Sequence, residues 1–225
     1  MIKFCLLLIL TVAPAAFAQQ GGETQHQIWP ELDLYFPLKE KFRLFVEVSE
    51  QSSTESGTSS HAQVGIHLDY FWKKRWTLRA GYRYGFDISS SDPFKEHRFL
   101  FEETYSKSLL RRFVLHARNR QEFRDVNGDF SMRFRTRLML ERDFAFGKRS
   151  LVPYANGEAF YDTRFAAFNR YRVTTGIQLF FKKRTGEILK LRKQKTLDVY
   201  YLWQHDSRSD PEFLHALGVK FAIHY

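Results

Sequence analysis

The 225-residue chain has a single cysteine, Cys5, close to its N-terminus. Nothing downstream can form a disulfide, a thiolate metal site or a thiol nucleophile. Long apolar runs are also missing. Beyond the N-terminal region the longest is Val199 to Trp203, far short of the roughly 20 residues a membrane-spanning helix needs. There is no Pro-, Gly- or Ser-rich linker to separate two domains, and no repeat with a period of roughly 20 to 50 residues that would mark a solenoid or propeller.

The N-terminus differs in kind from the rest. Lys3 precedes an apolar run from Phe4 to Val12 and then the small-residue site Ala16-Phe17-Ala18, which reads as a secretory signal peptide cleaved after Ala18. Residues 1–18 are therefore expected to be a signal peptide and residues 19–225 a single mature domain.

Lys and Arg number 35 against 25 Asp and Glu, a formal charge of +10, with 23 Phe and 11 Tyr interleaved. That composition suits phosphate contacts and stacking platforms for nucleic acid. Export argues against such a partner, and so does where the charges lie.

The dominant pattern is alternation. From Phe130 to Glu141 one face reads Phe130, Met132, Phe134, Thr136, Leu138 and Leu140, and the other Ser131, Arg133, Arg135, Arg137, Met139 and Glu141. A period of two places these on opposite faces of one strand. The same separation holds from Trp76 to Asp87 and from Arg170 to Phe181. Further candidates span about 28–36, 42–50, 61–72, 96–106, 112–124, 151–162, 196–206 and 213–225, which makes eleven segments. In a soluble sandwich or lipocalin-like barrel the polar face meets water and carries Lys, Glu, Thr and Ser. Here it is dominated by Arg, with Gly, Glu and Asp. An apolar exterior around a charged interior is the pattern of a barrel in lipid, whose backbone groups must all pair with neighbouring strands. The expected fold is an all-β, antiparallel transmembrane β-barrel of ten to twelve strands in the bacterial outer membrane.

The connections fall into two alternating classes. Segments 37–41, 73–75, 107–112, 145–150 and 182–195 hold 17 basic and 2 acidic residues, whereas 51–60, 89–96, 125–129, 162–168 and 206–212 hold 3 basic and 9 acidic. The other mature residues carry 14 of each sign. The net charge thus belongs to one rim of a polarised object. The basic end is expected to face the periplasm and anionic phospholipid, and outer-membrane lipids are expected partners. Aromatics such as Trp72, Trp76, Phe146, Phe130 and Trp203 gather near both ends, as in interface belts.

The C-terminal segment Leu217-Gly218-Val219-Lys220-Phe221-Ala222-Ile223-His224-Tyr225 resembles the terminal signal read by the barrel assembly machinery, with Gly218, Phe221, Ile223 and Tyr225 as its marks. The middle of the chain carries Arg118-Asn119-Arg120-Gln121-Glu122, Met132-Arg133-Phe134-Arg135-Thr136-Arg137, Pro153-Tyr154-Ala155-Asn156-Gly157-Glu158-Ala159-Phe160, Asn169-Arg170-Tyr171-Arg172 and Leu197-Asp198-Val199-Tyr200-Tyr201. This order resembles the bacterial outer-membrane family catalogued as domain of unknown function 2490, across nearly the whole mature chain. The resemblance implies a barrel and a place in the envelope, and brings no catalytic residues.

The arginines of the polar faces admit two readings. A wide barrel would present Arg118, Arg120, Arg133, Arg135, Arg137, Arg170 and Arg172 to water as a lining for a small anionic solute. A narrow one would pair them with Glu122, Glu141, Asp143, Glu158 and Asp198 in a ladder that fills the lumen. Equal numbers of each sign favour the ladder, and guanidinium suits bidentate contacts with carboxylates. A lipid-modifying enzyme with a rim site is the rival function. Its candidates, His205, Asp206, Ser207 and Ser131, include adjacent strand residues that point to opposite faces and so cannot form a relay. No cofactor or metal is implied, since His67 and His116 lack a second ligand at metal spacing. Asp206, Asp210 and Glu212 lack the glycine-centred spacing of a calcium loop. Residues 185–195 read either as a short amphipathic turn on the inner leaflet or as a disordered basic one.

The strand count does not close. Single-chain bacterial barrels have even numbers with both termini periplasmic, so either the segment at 28–36, which holds Pro30, is not a full wall strand and the wall has ten, or a strand near 20–27 makes twelve.

Overall fold

A computed structural model describes residues 24–53, 60–88, 94–109, 112–184 and 193–225. The cleavage-site residues Ala16 and Ala18, and most of the segment 185–195, lie outside them.

The regular elements are all strands: β1 (Thr24–Lys39), β2 (Phe42–Ser53), β3 (His61–Lys73), β4 (Trp76–Asp87), β5 (Lys95–Ser108), β6 (Phe113–Val126), β7 (Asp129–Arg142), β8 (Phe144–Phe146), β9 (Arg149–Asp162), β10 (Ala167–Phe180), β11 (Gln194–Asp206) and β12 (Phe213–His224). The short β8 continues β7 past Asp143, and both pair with β9. The wall therefore has eleven strands. Consecutive strands are antiparallel, and the sheet closes where β1 pairs with β12 in parallel, in unbroken register from Thr24↔Phe213 to Tyr35↔His224.

That parallel seam explains why neither ten nor twelve strands is found. Two strands that run in the same direction can close an odd wall, so the first segment does not have to be discarded or doubled. Proline is accommodated within it. The ladder from β1 to β2 is interrupted between Ile28 and Glu31, and Pro30, which has no N–H to donate, sits in the gap.

Alternation sorts the side chains as the sequence implies. Outward positions such as Ile66, Phe99, Phe101, Leu138 and Leu217 are exposed, whereas inward Asp69, Glu122, Arg133 and Glu158 are buried. This is an apolar exterior around a polar interior, the arrangement of a barrel that spans a membrane. Successive connections alternate between the two ends of the wall, and the basic ones share one end. The hairpin between β6 and β7 turns through Asn127 and Gly128, both at positive φ (53° and 94°), the two-residue turn whose twist matches the flanking strands.

Small residues make room for the lumen contents. A Cβ at inward-facing Gly81 would overlap the imidazole of His67, and one at Gly218 would overlap the ring of Tyr200.

Candidate functional site

The lumen holds a cavity of about 850 Å³ to which all eleven wall strands contribute lining side chains. It extends to the rim at the Ser/Asp-rich end, where Gln51, Phe94, Arg164 and Ser209 line it. Among the described residues its lining stops a few residues short of the basic end, at Tyr35, Phe45, Arg79 and Gln178. There the inward-facing His67, Asp69, His116, Glu141, Ser150, Val152, Phe180 and His224 are each buried and make up a floor. The turn after β10 completes that floor: Arg184 Nη1 lies 2.5 Å from Glu141, its backbone N–H donates to Ser150 Oγ at 3.0 Å, and its guanidinium stacks on Phe180.

The walls carry the ladder expected of a narrow barrel. Arg118 reaches Glu158 at 2.5 Å and Glu102 at 3.5 Å, and Arg120 holds Glu102 at 2.6 Å. Arg135 bridges Glu122 at 2.8 Å and Glu158 at 3.0 Å. Arg133 lies 3.3 Å from Asp162, and Arg170 lies 2.5 Å from Asp206. Glu141 binds Arg184 and lies 3.4 Å from His116. Apart from the contact of Arg184 in the turn, each of these pairs joins adjacent strands or strands one apart, so the ladder coats the wall and leaves the centre as space.

Two expected carboxylates stand elsewhere. Asp143 is half-buried at the break between β7 and β8. Asp198 accepts from Tyr154 Oη and from Gln178 Nε2, both at 3.2 Å, rather than from an arginine. The sequence reading also missed partners. Glu102 is one, because it adjoins Glu103 and only the register decides which of the two faces inward. Asp162 and Asp206 are others, since they were counted with the loops yet end β9 and β11 with side chains turned into the lumen.

Two arginines are left over. Register places Arg118, Arg137, Glu158, Arg172 and Gln204 in one row around the wall. Glu158, the single carboxylate of that row, is already engaged by Arg118 and Arg135. Among the described residues no carboxylate lies within 4 Å of Arg137 or Arg172. Arg172 donates to Gln204 Oε1 at 2.6 Å and lies over the rings of Trp29 and Phe160, 5.2 Å from each. Strands β1 and β2 present Glu31, Asp33 and Glu47 to the cavity, and their oxygens lie within 4.8 Å of one another. Lys220 lies 2.7 Å from Glu31 and 3.6 Å from Asp33, and Glu47 is paired with Arg83. The cavity therefore holds an arginine row short of carboxylates and, apart from it, a cluster of three carboxylates with two cationic partners.

The residues weighed for a rim enzyme are not brought together. Ser131 is buried and faces the lumen, whereas His205 faces outward and lies 3.8 Å from Glu212. Asp206 is held by Arg170 and by the Asn169 amide, and Ser207 donates to the Asn169 carbonyl at 3.3 Å. Of the assembly-signal residues, Phe221, Ile223 and Tyr225 face outward on β12 or just past it, while Gly218 faces the lumen against Tyr200.

No curated protein matches the chain. Among solved structures the fold is similar to LpxR from Salmonella typhimurium, with a TM-score of 0.51 over 81% of this chain and 83% of that one, at 8% identity. At that identity the likeness bears on architecture alone. The model of the family described as "Protein of unknown function (DUF2490)" matches residues 26–215, and the chain belongs to that family.

Proposed function

We propose that the protein is a non-enzymatic barrel of the bacterial outer membrane, basic rim toward the periplasm, whose lumen is a cup for a small anionic solute. The observation that carries this reading is the row of Arg118, Arg137 and Arg172 around the single carboxylate Glu158, within a cavity that stops above a packed floor. A volume of about 850 Å³ falls in the range of small-molecule pockets. The guanidinium groups of Arg137 and Arg172 suit a carboxylate or phosphate, and the one negative charge by which Glu31, Asp33 and Glu47 exceed Lys220 and Arg83 favours a solute that also carries a cationic group. The acids counted at the outer rim oppose such a ligand weakly, because Glu96, Asp162 and Asp206 are neutralised by Arg98, Arg124, Arg133, Arg164 and Arg170. The separation of Ser131 from His205 supports the non-enzymatic part.

Trp29 lines the cavity beneath Arg172 and so provides the readout. Titrating the purified barrel in micelles with inorganic phosphate and with glutamate is expected to change tryptophan fluorescence saturably, in the native chain but not in Trp29→Phe. The change is expected to weaken in Arg137→Gln and Arg172→Gln, and planar bilayers are expected to show no unitary conductance. Steady conductance without a saturable titration would refute the cup. Recovery of the chain outside the outer-membrane fraction would refute the location.

A further inference from the structure

The outer wall is apolar almost throughout. Outward-facing charged side chains of the described residues lie within three residues of a strand end, with one exception, Glu103 in the middle of β5. Register places Glu103 beside Asn119 of β6, and Asn119 beside Thr136 of β7. All three are exposed, as is Gln121 one step along the same face of β6. The Asn119 amide donates to Glu103 Oε1 at 3.0 Å, and the Thr136 hydroxyl donates to Asn119 Oδ1 at 3.0 Å. These bonds leave capacity unused, since an amide has a second N–H and a carboxylate a second oxygen. Half-way down a lipid-facing wall, such groups are destabilising unless something polar covers them.

The adjoining wall is shallow. Ala117 of β6 and Pro153, Ala155, Gly157 and Ala159 of β9 face outward. Gly81 and Gly218 are explained by the lumen side chains that fill the place of a Cβ. At Gly157 no atom lies within 4 Å of that place. Nothing inside one copy of the chain calls for a glycine there, whereas close approach of another surface would.

We propose that a second copy of this chain covers the face formed by β5, β6, β7 and β9, about a two-fold axis along the membrane normal. Copies inserted in the same direction carry the polar row at the same depth, so the match in height is automatic. The row holds an acceptor, Glu103, and the Asn119 amide, which has an N–H to spare, and Gln121 lies one step along the strand. A two-fold axis between β5 and β6 sets the Asn119 amide of each copy against the Glu103 carboxylate of the other, as a self-complementary interface requires. An unrelated partner would have to supply a polar group at that same depth. The inference needs only a lipid-facing wall, not a solute in the lumen.

Because Cys5 lies in the segment expected to be removed, single cysteines report contacts cleanly. Gln121→Cys sits on the proposed face and Val219→Cys on the opposite wall. Oxidation with copper phenanthroline in native membranes is expected to link Gln121→Cys into a species of twice the chain's mass and to leave Val219→Cys unlinked. Light scattering of the unsubstituted barrel in micelles is expected to give a dimer. The double variant Glu103→Leu/Asn119→Leu is expected to give a monomer that retains the heat-modifiable gel mobility of a folded barrel. If that variant does not fold, the cysteine pattern alone decides. A monomeric unsubstituted chain, a folded double variant that stays dimeric, equal linking at both cysteines, or linking to a chain of different mass would each overturn the proposal.

Discussion

Arg118 on β6 reaches across β7 to Glu158 on β9, and the two close to 2.5 Å inside the lumen. Glu158 also receives Arg135 at 3.0 Å, so one carboxylate neutralises guanidinium groups from two strands. The ladder belongs to the stability of the barrel as much as to its cavity.

Replacing Glu158 by Gln keeps the shape and removes the only negative charge of its row, so Arg118 and Arg135 keep Glu102 and Glu122 but lose their shared partner. Loss of one member of a buried pair typically costs about 3–5 kcal/mol. Glu158→Gln is expected to unfold at markedly lower urea concentration in lipid vesicles, while Asp125→Asn at the outer end of β6 changes the midpoint little. Equal midpoints would mean that the ladder adds nothing to stability.

Gly218 tests two explanations of one residue. As part of the terminal assembly signal it would act before folding; as the space that admits the Tyr200 ring it acts in the folded wall. Overpacking of this kind costs typically about 1–3 kcal/mol. Gly218→Ala is expected to destabilise the barrel, and Tyr200→Leu in the same chain to restore much of the loss. If the defect is one of assembly yield that Tyr200→Leu leaves untouched, the recognition role dominates.

Strand β7 shows how much was legible. Its alternation from Phe130 to Glu141 anticipates a strand observed from Asp129 to Arg142, because a wall with lipid on one side and charge on the other imposes a strict period of two. The segregation of basic and acidic connections was legible for the same reason. The seam was not. Strand β1 was read as 28–36 and runs from Thr24 to Lys39, since Pro30 weakens its signal and parity argued against an odd wall. Arginine partners were not legible either, because Arg118 passes over its neighbour strand to reach Glu158. The floor depends on Arg184, which sequence assigns to a basic turn and the fold turns inward.

The parallel seam has a direct chemical test. Leu32 on β1 and Phe221 on β12 are register partners that both face outward. Leu32→Cys/Phe221→Cys is expected to form an intramolecular disulfide upon oxidation. Leu32→Cys/Ala222→Cys, shifted by one residue so that one thiol points inward, is not. Antiparallel closure of an even-stranded wall would not bring residues 32 and 221 together, and failure of the first pair to link would exclude the eleven-stranded closure.

The Arg184 side chain ties the turn after β10 to the floor through Glu141 and the Phe180 ring, beside the bond that its backbone N–H donates to Ser150 Oγ. Its truncation removes a charge-assisted bond and a stacking contact together, and leaves Glu141 to His116 alone, 3.4 Å away. The floor should then admit water where the native chain does not. Arg184→Ala is expected to show unitary conductance in planar bilayers and faster entry of small solutes into cells, whereas Lys183→Ala, whose side chain is exposed, behaves as the native chain. The wall strands do not depend on this contact, so the folded gel mobility should be unchanged. Conductance in the native chain equal to that of Arg184→Ala would show that the packed layer does not close the lumen, and the barrel would then be a pore with an arginine-lined constriction.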